Sequence, residues 1–214
     1  MTADAPLRGW RFYLQQRVLV IFFLGFSSGL PFPLVYATLS AWLEDAGIER
    51  STISTFAWLG FAYSLKFVWA PFMDRYVPPF LGRRRGWMLI FQFALALSIC
   101  GLGRTDPGQT PWLVALAAFF VTLFSASQDI VIDAYRREDL ADEELGLGSS
   151  LYINGYRTGM LLASGGGLIM ADHIPFSMVY LIMAACLLPG ILTTLLTPEP
   201  ETPKGTPQTL QEAI

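Results

Sequence analysis

Long apolar runs separated by short polar turns set the pattern of the chain. The runs cover 17–43, 51–70, 86–102, 112–135, 148–171 and 176–196. Each is near the ~20 residues that an α-helix needs to cross the hydrocarbon core of a bilayer. The pattern predicts an all-α integral membrane protein, a six-transmembrane-helix bundle over 17–196. A polar tail at 1–16 precedes it, and a linker at 197–214 follows. The turns fit this reading. Residues 103–111, Gly-Arg-Thr-Asp-Pro-Gly-Gln-Thr-Pro, are rich in residues that end helices.

Two runs carry further signals. In the first, Gly25-Phe-Ser-Ser-Gly-Leu-Pro-Phe-Pro33 puts two glycines and two prolines in mid-span. Backbone hydrogen bonds are lost there, which predicts a kink or a local opening. At membrane depth such an opening needs protein or a water-filled cavity to satisfy the freed groups. Ser27, Ser28, Tyr36 and Thr38 make this a candidate cavity-lining helix; a packing kink is the plainer alternative. In the fifth run Gly155, Gly159, Ala163 and Gly167 recur every four residues, a stripe that lets a neighbouring helix approach closely.

Against this background a few polar side chains stand out. Thr122, Ser125, Asp129, Asp133 and Arg136 share one face of the fourth helix. An acid at the centre of such a helix costs roughly 2.5–3.5 kcal/mol on insertion scales, so Asp129 requires a partner or a function. Lys66 lies at a similar depth by residue count; it either pairs with Asp129 or snorkels to the headgroups on its long stem. Arg157 follows Gly155 by two residues, roughly 200° round the helix, and is about 14 Å into the fifth run at the α-helical rise. It is either a salt-bridge partner of Asp129 or a fork for a substrate carboxylate. Lys66 and Arg157 balance Asp129 and Asp133 in charge, so a buried network is expected. Gln92 is the one strong hydrogen-bonding side chain of the third run, which is expected at the bundle periphery.

Composition narrows the class. The chain is 53% hydrophobic and 14% charged, and its net charge of −3 names no partner. No basic tract points to nucleic acid. Cys100 and Cys186 fall inside apolar runs and imply neither a disulfide nor a metal framework. Without a nucleophile–histidine pair, a metal-ligand cluster or a phosphate loop, the chain reads as no enzyme and requires no cofactor. The first run is too long for a signal-peptide core and reads as an uncleaved helix. Arg8, Arg11, Arg17, Arg75, Arg83, Arg84, Arg85, Arg136, Arg137 and Lys204 fall on one set of alternate segments, against Arg50 and Arg104 on the other. By the positive-inside rule both ends face the cytoplasm.

Six spans with a basic second-to-third turn resemble the amino-terminal half of a major facilitator transporter. The family pattern in that turn is Gly-x-x-x-Asp-Arg-x-Gly-Arg-Arg. Asp74-Arg75 and Gly82-Arg83-Arg84 match it, with Ala70 in the first glycine's place and extra residues between the parts. Five motifs in order then resemble the AmpG muropeptide permeases of Gram-negative bacteria. They are Gly25-Phe-x-Ser-Gly-Leu-Pro31; Lys66-Phe-x-Trp-x-Pro-x-x-Asp-Arg-Tyr76 with Pro78-Pro79-Phe80; Gly82-Arg-Arg-Arg-Gly-Trp87; Ser125-Ala-Ser-Gln-Asp-Ile-Val131 with Asp133-Ala134; and Gly155-Tyr-Arg-x-Gly-Met160.

The resemblance implies an importer of anhydromuropeptides, small glycopeptides recycled from peptidoglycan, driven by protons across the bacterial inner membrane. The residues are compatible with it. A buried Asp129 can take up and release a proton, with Lys66 and Arg157 in its charge network. Arg157, Asn154, Gln128, Ser28 and Tyr36 form the candidate substrate-binding set. Asp74, Arg75, Gly82, Arg83, Arg84 and Asp133 form the candidate cytoplasmic gate, in which Asp133 latches to Arg75 or to the Arg83, Arg84, Arg85 cluster. Members of the family carry a second six-helix bundle, with substrate between the halves. A truncated or half-length form is therefore expected, working with a missing second half or a homodimer partner. The alternatives are an acetyl-CoA carrier of the same superfamily and a non-transporting membrane fragment or assembly partner.

Overall fold

The computed structural model describes residues 16–200. The expected tail, apart from Gln16, and the expected linker beyond Pro200 lie outside the described residues. Every regular element among the described residues is helical. The first stretch is α1 (Gln16–Gly29), α2 (Pro31–Pro33), a π-helical segment Leu34–Thr38 and α3 (Leu39–Asp45). The second is broken into α4 (Arg50–Thr55), a 3-10 segment Phe56–Gly60, α5 (Phe61–Leu65), a 3-10 turn Lys66–Val68 and α6 (Ala70–Arg75). Then come α7 (Arg83–Leu102), α8 (Pro111–Asp139) and α9 (Leu145–Leu161). A π-helical segment Leu162–Gly166, α10 (Gly167–Ala171), α11 (Phe176–Ala185) and α12 (Leu188–Leu196) complete the chain. Among the described residues four stretches are long and apolar enough to cross a membrane: Leu19–Asp45, Arg83–Leu102, Pro111–Asp139 and Phe176–Leu196.

The closest packing is between α1 and α9. A Cβ on Gly25 would run into the Tyr152 carbonyl, and one on Gly29 into the Tyr156 carbonyl. In return, a Cβ on Gly155 would meet the Phe22 carbonyl, and one on Gly159 the Phe26 carbonyl. The small-residue stripe thus has a matching stripe as its partner, and the two backbones touch directly.

Beyond the seam both helices change type, and each change is satisfied from a neighbour. The expected opening in the first stretch falls just after Pro33, as the π-helical Leu34–Thr38. The Leu34 carbonyl accepts the buried Tyr180 hydroxyl at 2.8 Å. In the π-helical Leu162–Gly166 the Ala163 carbonyl accepts the Thr38 hydroxyl at 2.9 Å. Away from water a freed carbonyl has to find such a donor.

The main core joins Leu34, Leu39 and Leu43 to Leu95 and Ile99 of α7, Val114 and Val121 of α8, and Tyr180 and Met183 of α11. Gln92, expected at the periphery, is instead 0% exposed. Its face of α7 turns inward against α12, where a Cβ on Gly190 would lie 3.5 Å from Gln92 Nε2. Outward-facing Trp58, Phe61, Leu97, Ile169 and Leu196 stay exposed, as suits a surface that meets hydrocarbon.

At one end of the bundle charges lock the helices together. Arg84 is 5% exposed and joins Asp74 at 2.6 Å and Glu138 through two bonds of 2.6 and 3.0 Å. Arg83 reaches the same Glu138 oxygen at 2.9 Å. The Glu199 carboxylate accepts the backbone N–H groups of Arg84 and Arg85 at 2.7 and 3.0 Å, capping α7 at its positive end. Arg85 in turn donates to the Thr194 and Leu195 carbonyls at 2.9 and 2.8 Å, at the negative end of α12. Gly82 has φ +87° and lies against the Glu199 side chain, so conformation and space both call for glycine.

The latch acid is therefore Glu138. Asp133, expected in that role, pairs with Arg136 of its own helix at 3.2 Å. Position 138 lies beside the start of α7, and position 133 lies more than a turn further inside. Arg75 takes part in no ion pair among the described residues and lies over the Tyr76 ring at 5.8 Å.

Two outcomes test this architecture by thermal unfolding in detergent. Gly29→Leu should destabilise the protein by about 1–3 kcal/mol or more, because backbone cannot yield as a side chain does. Gly101→Ala, where a Cβ meets open space, should be near neutral. Glu138→Ala strands two arginines and should cost about 3–5 kcal/mol. Asp74→Ala should cost clearly less, since Asp74 is 41% exposed in its pair with Arg84; equal losses would contradict the assignment of Glu138.

Candidate functional site around Asp129

Helix α8 starts with a proline in its first turn and carries its polar stripe without interruption. Two hydroxyls of the helix are satisfied locally: Thr122 of the stripe donates to the Ala118 carbonyl at 2.9 Å, and Ser127, off the stripe, donates to the Leu123 carbonyl at 2.7 Å. The broken second stretch supplies the rest. Tyr63 donates to the Ser125 hydroxyl at 2.9 Å, and the Trp69 indole donates to Ser127 at 3.0 Å. Asp129 differs from these. Its Oδ1 is sealed from solvent and has no hydrogen-bond partner among the described residues.

Around Asp129 the groups are hydroxyls and one cation. Lys66, Tyr63, Tyr152 and Tyr156 lie within electrostatic reach of the carboxyl. Ser28 stands next to it, yet the Ser28 hydroxyl closes no hydrogen bond of acceptable geometry. The glycine seam puts Tyr152 and Tyr156 here, because Gly25 and Gly29 sit under their carbonyls. A buried carboxylate oxygen with no donor is unfavourable as an anion and tolerable as a protonated acid. This geometry can hold a proton and hand it on, with hydroxyls nearby to relay it.

The other expected site residues divide. Tyr36 and Ser28 do approach this side of the bundle; the Tyr36 ring is tilted against Phe32 with centres 4.7 Å apart, and Phe32 lies 5.8 Å from Tyr63. Gln128 does not join them. It is 0% exposed, with Nε2 3.4 Å from Ser27 Oγ, because one residue turns it ~100° away from Asp129 into the core.

The expected charge network is also corrected. Lys66 sits on its 3-10 turn near Asp129 and Asp133 but closes no ion pair with either. Arg157 is exposed and pairs with no acid among the described residues. The physical reason is the seam. Gly155 and Gly159 must face α1, which turns Arg157 and Asn154 to the outer side of α9, away from Asp129.

Residues not picked out from sequence are Tyr63, Tyr152, Tyr156 and Glu138. The tyrosines had one available signal: Tyr152 and Tyr156 are four apart, on the side of α9 adjoining Gly155 and Gly159.

Comparisons with known proteins bear on this geometry. The model of the Major Facilitator Superfamily matches residues 17–213. The anhydromuropeptide permease of Escherichia coli (strain K12) is 45% identical over 206 residues, which cover 95% of this chain and 42% of that protein. A putative transporter AmpG 3 of Rickettsia typhi (strain Wilmington) is 33% identical over 194 residues, or 88% of this chain and 46% of that one. A putative transporter AmpG 4 of Rickettsia conorii (strain Malish 7) is 33% identical over 169 residues, or 78% and 41%. The chain thus spans less than half the length of these relatives. With four apolar helices fit to cross a membrane and a family match over nearly its whole length, the chain is a multi-pass membrane protein that belongs to the Major Facilitator Superfamily of transporters.

Proposed function

We propose that this chain is the amino-terminal, six-span half of a proton-coupled importer of anhydromuropeptides in a bacterial inner membrane, with both ends in the cytoplasm. The observation that carries the proposal is the Asp129 carboxyl, whose Oδ1 is sealed from solvent and takes no donor among the described residues, with hydroxyls close by. A permanently ionised acid would be expelled from such a site or paired there. An acid that gains a proton on one side of the membrane and loses it on the other is suited to it. Lys66, close by and unlocked, steadies the deprotonated form.

Arg157 takes the second role. A guanidinium at this depth cannot be left to lipid, so its face of α9 is covered by protein, water or ligand. Its planar fork suits the carboxylates of a peptide, with Asn154 one turn away as an additional contact. Ser28 and Tyr36 meet substrate on the Asp129 side. The cluster of Asp74, Arg84 and Glu138, with Arg75, Gly82 and Arg83 beside it, is the gate that breaks and reforms as the bundle rocks. A second bundle, from further polypeptide or a second copy of this chain, closes the passage.

In vesicles from cells expressing the protein, an inward proton gradient should drive uptake of labelled anhydromuropeptide. Asp129→Asn should abolish that uptake while the protein stays in the membrane; pH-dependent uptake like the wild type's would refute the proton role. For Arg157→Ala, calorimetry should show at least about tenfold weaker binding of the substrate, in line with a lost charged hydrogen bond. Undiminished affinity would remove Arg157 from the site.

A further inference from the structure

Five aromatic rings from three separate stretches form a succession of neighbours that reaches Asp129. Phe32 and Tyr36 come from the first stretch, Tyr63 from the second, and Tyr152 and Tyr156 from α9. The rings follow one another: Tyr36 to Phe32 at 4.7 Å, Phe32 to Tyr63 at 5.8 Å, and Tyr152 to Tyr156 at 6.3 Å. Tyr63 and Tyr156 lie within electrostatic reach of each other, which closes the gap between the two groups. None of the five is fully buried, and Phe32 is 37% exposed.

The composition of this wall differs from the rest of the outer surface. Elsewhere the large exposed residues of the helices are mostly leucine, isoleucine, valine, phenylalanine and tryptophan. Here three of the chain's eight tyrosines, Tyr63, Tyr152 and Tyr156, lie within electrostatic reach of one carboxyl, and Tyr36 follows through Phe32. The Tyr36 and Tyr156 hydroxyls donate to no protein group among the described residues. A surface meant for acyl tails gains nothing from unpartnered hydroxyls, whereas a surface that holds a hydroxyl-rich ring uses both ring faces and hydroxyls. A pyranose has that pair of properties: C–H-lined faces that lie on aromatic rings, and equatorial hydroxyls that hydrogen-bond at their rim. Arg157 lies one residue from Tyr156 but ~100° further round α9, so an anionic part of the same ligand would leave the wall in that direction.

We propose that Phe32, Tyr36, Tyr63, Tyr152 and Tyr156 form the seat for the sugar of the substrate, separate from the position where its peptide binds. This rests on the muropeptide reading above. The broken second stretch matters to the seat. A Cβ on Gly60 would lie 2.9 Å from the Tyr36 hydroxyl, so the 3-10 segment passes close to that hydroxyl and leaves it room only because position 60 is glycine.

The test is binding to the full chain in lipid nanodiscs, by calorimetry, with three probes: intact anhydromuropeptide, its sugar portion without peptide, and its free peptide. Wild type should bind the intact molecule and the sugar portion. Tyr156→Ala and Phe32→Ala should weaken the sugar portion by about tenfold, the scale of one lost aromatic contact, and the free peptide far less. Tyr156→Phe, which keeps the ring and loses the hydroxyl, should weaken the sugar portion less than Tyr156→Ala does. Gly101→Ala, remote from the wall and open to a Cβ, should bind like wild type and serves as the control for folding. Equal sugar affinity in wild type and Tyr156→Ala would overturn the seat, as would wild type that binds intact molecule and free peptide but not the sugar portion. In either case the transport reading survives. A wild type that binds none of the three overturns the transport reading, and the seat with it.

Discussion

Backbone lies on backbone where α1 crosses α9, and the rest of the site depends on that contact. Four glycines, Gly25, Gly29, Gly155 and Gly159, leave no room for a side chain between the two helices. With lipid outside as apolar as any side chain within, closeness of approach is one of the few ways to gain attraction between membrane helices. The rotation of α9 follows from it. Once Gly155 and Gly159 face α1, Tyr152 and Tyr156 turn toward Asp129, and Arg157 and Asn154 turn outward. A helix turned by one residue would place the cation beside the acid and the tyrosines away from it.

The bundle treats its charges in two opposite ways. At the start of α7 every carboxylate has a donor: Glu138 takes two arginines, Asp74 one, and Glu199 two backbone N–H groups. Those pairs join α6, α7 and α8 at that end, and the Arg85 contacts add the last turn of α12. In mid-bundle one oxygen of Asp129 is sealed from solvent and takes no donor among the described residues, and Lys66 stands near without closing a pair. Satisfied charges hold helices together. An unsatisfied one is free to change its protonation state, which is the property a coupling site requires.

The broken helices follow similar rules. The π-helical segments Leu34–Thr38 and Leu162–Gly166 lie near each other, and each opened carbonyl takes a hydroxyl from a different stretch, Tyr180 or Thr38. The second stretch passes through two 3-10 segments; Tyr63 lies on the short α5 between them and donates to α8, and Lys66 opens the second. On its outer side the same stretch carries exposed Trp58, Phe67 and Val68, so its irregular backbone has both a polar inner face and an apolar outer one.

The sequence by itself was enough for the helical class, the membrane setting, the superfamily, the break after Pro33 and the small-residue stripe of α9. Each is a matter of local composition or helical period, and both can be read along one strand of residues. It also marked Asp129, because an acid in a long apolar run stands out whatever surrounds it. Only the tertiary structure decided which charges meet. Arg157 and Asp129 share a depth but not a side, and Asp133 is too far inside to do what Glu138 does. Gln92 reads as peripheral and Gln128 as a substrate contact, and both are buried in the core. Ion pairing depends on the rotation of each helix about its own axis. That rotation is set by close packing between residues more than a hundred positions apart, such as Gly25 and Tyr152, and a linear pattern does not carry it.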